Sequence, residues 1–153
     1  MKKAVIPGTY DPITNGHMNL IHRAADMFDE VIVAVVYNAA KNNMFSLEER
    51  KAFAEEACSK YPNVRVEAFE GLLVDFVKKE NIDVVVRGVR NARDFDYEYE
   101  LAQIYFMTGD GLETVFLPSN GANAHVSSTM VRELIKHNKP CDEFIPFTME
   151  EKQ

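Results

Sequence analysis

The run Val31 to Tyr37 reads Val-Ile-Val-Ala-Val-Val-Tyr, with no polar residue to mark a solvent-facing side. A strand of that kind is buried on both faces, and the usual place for it is a parallel sheet covered by helices above and below. Asp83 to Arg87, built around Val84-Val85-Val86, makes the same demand. Short β-branched runs alternate with longer helical patterns along the whole chain, so βαβ units are expected throughout. The expected strands are Lys3 to Pro7, Val31 to Tyr37, Val64 to Phe69, Asp83 to Arg87 and Thr114 to Leu117.

Between the strands, Met18, Ile21, Ala24, Ala25 and Phe28 recur at helical spacing, which predicts a helix over Gly16 to Phe28 with one apolar side. Ser46 and Glu49 have the S-x-x-E spacing of a capping box, so a second helix opens at Ser46 and runs to about Lys60. Further helices are expected over Leu72 to Glu80, Asp94 to Met107 and Ser127 to His137, with a short C-terminal helical segment after Pro146. No repeat, linker or low-complexity tract divides the chain, and a single domain over 1–153 is expected. The fold class is α/β, a doubly wound, Rossmann-like five-stranded parallel sheet with helices on both faces.

Composition narrows the function. A chain of 153 residues can bury roughly 70% of the surface its unfolded form exposes, so stability requires neither metal nor disulfide. Seventeen Lys and Arg against 24 Asp and Glu leave a net charge of −7, which disfavours nucleic acid and anionic membrane as partners. Val31 to Tyr37 is far shorter than the roughly 20 residues of a bilayer span, and Ala4-Val5-Ile6 is too short for the core of a secretory signal. Cys58 and Cys141 have no C-x-x-C spacing and read as reduced thiols. The expected location is the cytoplasm.

In a doubly wound sheet the ligand sits beyond the carboxyl ends of the strands, where strand order reverses. There the first strand runs through Gly8-Thr9-Tyr10-Asp11-Pro12-Ile13-Thr14-Asn15-Gly16-His17 into a helix. Neither G-x-G-x-x-G nor G-x-x-x-x-G-K-[ST] is present. A glycine turn before a helix N-terminus nevertheless suits an anion, and Gly8 and Gly16 are expected to let backbone approach a phosphate. The positive helix end is expected to depress the pKa of His17, leaving a neutral ring that donates to developing negative charge. His22, five residues on, faces elsewhere, which argues against a two-histidine metal site.

Lys41 follows the second strand, and Arg87, Arg90 and Arg93 follow the fourth, an accumulation of cations suited to phosphates. Ser127-Ser128-Thr129 opens the last long helix, where N-capping or phosphate binding are the two readings. The acids of Asp94 to Glu100 complement a helix dipole, and the interleaved aromatics are expected either to pack against a neighbour or wall a pocket, or else simply to pack in the core.

These residues resemble bacterial phosphopantetheine adenylyltransferases. The resemblance lies in Gly8 to His17 with its T-x-G-H ending, Met44-Phe45-Ser46-Leu47-Glu48-Glu49-Arg50, Arg87-Gly88-Val89-Arg90, Asp94-Phe95-Asp96-Tyr97-Glu98 and Val126-Ser127-Ser128-Thr129. It implies adenylyl transfer from ATP to 4′-phosphopantetheine, giving dephospho-coenzyme A and pyrophosphate, with Mg2+ assisting. It further implies that His17, Lys41 and Arg90 are catalytic. Thr9, Tyr10, His17, Gly88, Val89, Arg90, Glu98, Ser127, Ser128 and Thr129 would bind ATP. Thr9, Lys41, Leu73, Arg87 and Leu101 would bind the acceptor. A homohexamer and feedback inhibition by coenzyme A are family traits carried along with it. Asn123, His125 and Tyr105 depart from the residues common in the family at these positions.

Two alternatives stay open at this level. One is another T-x-G-H nucleotidyltransferase acting on nicotinamide mononucleotide or glycerol phosphate, and the other is a non-catalytic nucleotide-binding module.

Overall fold

The computed structural model describes residues 1–149. Its strands are β1 (Lys3–Gly8), β2 (Glu30–Tyr37), β3 (Val64–Glu70), β4 (Val84–Val89) and β5 (Glu113–Pro118). The helices are α1 (Asn15–Met27), α2 (Leu47–Cys58), α3 (Leu73–Glu80), α4 (Ala92–Thr108) and α5 (Ser128–Lys136), followed by a 3₁₀ turn at Asp142–Phe144. The strands form one parallel sheet in the order β3-β2-β1-β4-β5. Winding therefore reverses between β1 and β4, and the crevice above their carboxyl ends is where this topology leaves room for a ligand.

Strand alternation divides the core in two. Ala4, Ile6, Val31, Val33, Val35, Val84 and Val86 face α1, α2 and α5, while Val5, Ile32, Ala34 and Val85 face α3. The unbroken apolar runs arise because both faces are covered. The Ser46–Glu49 capping box forms as expected, with Ser46 Oγ accepting from the Glu49 N–H at 3.1 Å and Glu49 Oε1 accepting from the Ser46 N–H at 3.2 Å.

Some boundaries move. α2 ends at Cys58 rather than near Lys60, and α5 lies between its caps Ser127 and His137. No helix follows Pro146 within the described residues; the turn there is the earlier Asp142–Phe144, and anything beyond residue 149 lies outside them. The aromatics of α4 are not core: Phe95, Tyr97 and Tyr99 are all exposed. Cys58 and Cys141 are buried and unpaired. No helix among the described residues is long and apolar enough to cross a membrane.

Candidate active site

A cleft of about 380 Å³ opens above the switch between β1 and β4, and Thr9, His17, Arg87, Gly88, Arg90 and Ser127 are among the residues that line it. The chain enters it from β1 through Tyr10, which sits at φ 50. Tyr10 is buried, and its hydroxyl donates to the Ile6 carbonyl at 2.8 Å. Its ring lies 4.8 Å from that of His17. The phenol is thus committed inside the protein, and Tyr10 meets the cleft with ring and main chain only. Gly8 is constrained by the same ring, since a Cβ there would stand 3.0 Å from it.

Fully buried Thr14 caps α1, accepting from the His17 N–H at 3.4 Å through Oγ1. In return the Thr14 N–H donates to His17 Nδ1 at 2.9 Å. A nitrogen that accepts a main-chain N–H carries no proton of its own, so the neutral ring bears its proton on Nε2. Burial pushes the imidazole pKa down to about 4, and the Arg87 charge lowers it as well. The direction matches expectation, but the causes are desolvation and a neighbouring guanidinium rather than the helix end. Gly16 has a different task from the one its position suggests: a Cβ there would collide with the Val126 carbonyl, so its bareness seats the loop before α5 rather than a phosphate.

Arg87 lies within β4 rather than beyond it. Its Nε and Nη2 donate to the two oxygens of Glu98, both at 2.7 Å, and Nη1 donates to the Pro7 carbonyl at 2.8 Å. One N–H on each terminal nitrogen is left without a partner among the described residues, out of the five a guanidinium has. Burial works against the Arg87 charge, but the hydrogen bonds and charge of Glu98 outweigh it and raise the pKa. Glu98 is 6% exposed and both its oxygens are occupied. It orients Arg87 and, with acceptor capacity left on each oxygen, also lines the cleft where it is expected to meet ATP.

Lys41 Nζ reaches Thr9 Oγ1 at 3.2 Å, beside a smaller hollow that Asp11, Asn43, Ser128 and Arg132 also line. Arg90 is exposed at the cleft, with Nε 3.3 Å from Asp94. The three hydroxyls at α5 each have a partner within the protein. Ser127 accepts from the Met130 N–H at 3.2 Å as the cap, Ser128 donates to the Pro12 carbonyl at 2.8 Å, and Thr129 accepts from Arg132 at 3.1 Å. Only Ser127 is a cap, while Ser128 and Thr129 hold a distant loop and a neighbouring arginine; Ser127 and Ser128 line the cleft, and Thr129 does not. Val89, Leu73 and Leu101 are also absent from its lining, and Leu73 instead packs against the sheet with Val74 and Val77. Arg93 is exposed outside the cleft, and His22 is on the surface 3.8 Å from Asp26.

Residues 5–134 match the cytidylyltransferase-like family. A phosphopantetheine adenylyltransferase from Actinobacillus succinogenes is 47% identical over 146 residues, covering 95% of this chain and 91% of that one. Relatives of the same description from Tolumonas auensis and Clostridium perfringens are 45% and 43% identical, over 94% and 95% of this chain and 88% and 89% of their own length.

The chain belongs to the phosphopantetheine adenylyltransferase family. Solved structures extend the likeness of fold well beyond that family. A bifunctional NMN adenylyltransferase/ADP ribose pyrophosphatase from Francisella tularensis superposes with a TM-score of 0.70 at 15% identity, over 95% of this chain and 45% of that one. A lipopolysaccharide core biosynthesis protein from Thermoplasma volcanium does so with 0.59 at 19% identity, over 79% and 99%.

Several residues of the cleft and of the hollow beside it escape a reading by motif. Asn19, Leu20 and Arg23 line the cleft from α1, and Arg23 donates to the Pro118 carbonyl at 2.8 Å. Their spacing from Gly16, at three, four and seven residues, was the available signal. Arg132, which lines the neighbouring hollow, donates to Thr129 at i,i+3 spacing and to the Asp11 carbonyl at 2.9 Å, and the second bond spans 121 residues.

Proposed function

We propose that the chain transfers the adenylyl group of ATP to 4′-phosphopantetheine, yielding dephospho-coenzyme A and pyrophosphate. One observation carries the chemistry: His17, fixed as an Nε2–H donor by Thr14, lines the same cleft as the two unspent donors of Arg87. The acceptor phosphate, with a second pKa of about 6, is already a nucleophile near neutral pH and needs no general base. Its oxygen attacks the α-phosphorus in line as the bond to pyrophosphate breaks. Catalysis then consists of positioning and charge stabilisation. Thr9, Lys41 and Arg87 hold the acceptor phosphate, Arg90 and the N–H groups at the start of α5 hold the triphosphate, and His17 donates to the α-phosphoryl oxygen as charge develops there.

Magnesium, which would neutralise phosphate charge, belongs to this reading. Among the described residues no group of three or more His, Cys, Asp or Glu gathers to hold a metal. Asp11 and Glu98 are committed to main-chain and Arg87 donors, and Asp94 accepts from Arg90. That donor set fits an ion carried on phosphate oxygens and water rather than in a protein cage.

Assembly into a homohexamer is part of the proposal. Phe95, Tyr97, Tyr99, Ile104, Phe106 and Met107 are all exposed along α4, more apolar surface than one helix of a monomer usually leaves bare. Coenzyme A, which contains both product halves, is proposed to inhibit from the same cleft, and the cytoplasm is the proposed compartment.

Pyrophosphate release with ATP and each candidate acceptor tests the reading. Turnover with 4′-phosphopantetheine but not with nicotinamide mononucleotide or glycerol phosphate is expected, and the reverse pattern contradicts it.

A further inference from the structure

Arg50 is 1% exposed, and three of its five N–H donors go to main-chain carbonyls on three separate segments. Nη1 donates to Thr9 at 2.7 Å and to Val36 at 2.9 Å, and Nε donates to Phe45 at 3.2 Å. No carboxylate is hydrogen-bonded to it among the described residues. Keeping a guanidinium out of water in this way is costly, and an apolar side chain would fill the volume if packing were the only need.

The three carbonyls explain its presence. Thr9 follows β1, Val36 is near the end of β2, and Phe45 stands just before α2. Asp11, itself buried, ties the same loops together by accepting the Met44 and Phe45 N–H groups at 2.8 and 2.9 Å. Between these anchors runs the segment that bears Lys41, whose ammonium rests 3.2 Å from Thr9 Oγ1. We propose that Arg50 is a positioning residue for adenylyl transfer, which sets Thr9 and the Lys41 loop at the separation the acceptor phosphate requires. The inference rests on the function proposed above. Arginine is needed because its planar fork serves three carbonyls in fixed directions, whereas a lysine ammonium offers one point. His17, Arg90 and Ser127 share no hydrogen bond with Arg50, so the effect falls on the acceptor rather than on ATP.

Arg50→Lys tests this through amide hydrogen exchange, steady-state kinetics and ATP titration. Exchange over residues 38–45 should accelerate roughly tenfold or more while the protection of α1 and the central strands persists. The kcat/KM for 4′-phosphopantetheine should fall about tenfold or more, with the ATP dissociation constant within about threefold of wild type. In a Lys41→Ala background Arg50→Lys should add less than about threefold, because coupled residues are not additive. Unchanged exchange in the loop, a loosened loop with normal acceptor kinetics, or fully multiplicative effects would each overturn the proposal. If Arg50→Lys fails to fold, Asp11→Asn loosens the same tie and should give the same pattern at smaller amplitude; wild-type exchange and acceptor KM in that variant overturn it equally. Exchange needs no substrate, so a wild-type protein inactive with 4′-phosphopantetheine would defeat the proposed function while the loop tie is still judged.

Discussion

The main-chain N–H of Thr14 donates to Nδ1 of His17 at 2.9 Å, and this bond decides which ring nitrogen presents a proton to the cleft. Because the pKa of His17 is pushed down to about 4 by burial and by Arg87, the ring is neutral across the physiological range. Nitrogen-15 spectra of the histidines should therefore show His17 as the Nε2–H tautomer between pH 5.5 and 8. An imidazolium signature in that interval would contradict the assignment.

The same shift fixes a sign for stability. Between the unfolded-state pKa near 6.5 and the folded value of about 4, the unfolded chain binds the proton and the folded one does not. Stability from this group is thus complete above pH 6.5 and is lost as pH falls toward 4. Thermal denaturation should reveal it as a pH dependence that is smaller in His17→Asn. Identical profiles for the two proteins would exclude His17 as its source.

Glu98→Gln should remove the charge that holds Arg87 in a two-pronged pair. Because the pair is largely buried, the loss should destabilise the fold by about 3 kcal/mol. By calorimetric titration, 4′-phosphopantetheine binding should weaken at least tenfold while ATP binding changes little. Selective loss of ATP affinity would instead make the nucleotide the chief partner of Glu98.

Gly16→Ala places a methyl against the Val126 carbonyl. Alanine is favoured over glycine in a helix by about 1 kcal/mol, so a variant free of collision would gain stability. A net loss of about 1–3 kcal/mol is expected instead, with ATP affinity reduced as the loop before α5 is displaced. A melting temperature equal to or above that of wild type would remove the packing role given to Gly16.

How far the sequence could be read follows from the range of the interactions involved. Strands β2 and β4 were legible because burial on both faces erases polar alternation, and α2 because Ser46 and Glu49 cap it within one turn. The T-x-G-H stretch was legible for a similar reason, since Thr14 and His17 engage each other three residues apart. Glu98 was not, because an acid near a helix start already has a local explanation, while its partner Arg87 sits across a turn on β4. Arg50 was legible only as the end of the Met44 to Arg50 run, without a role, because two of its carbonyl partners, Val36 and Thr9, are 14 and 41 residues away. The partner of the Ser128 hydroxyl was not legible, because the Pro12 carbonyl is 116 residues away, whereas Arg132 stands beside Thr129 at helical i,i+3 spacing.

The most direct test follows pyrophosphate formation from ATP and 4′-phosphopantetheine by the wild-type protein and by His17→Ala, with ATP binding measured on both. Loss of one preorganised donor to the transition state should lower turnover by about 10²-fold or more, with the ATP dissociation constant within about threefold of wild type. Turnover unchanged by the substitution would contradict the account.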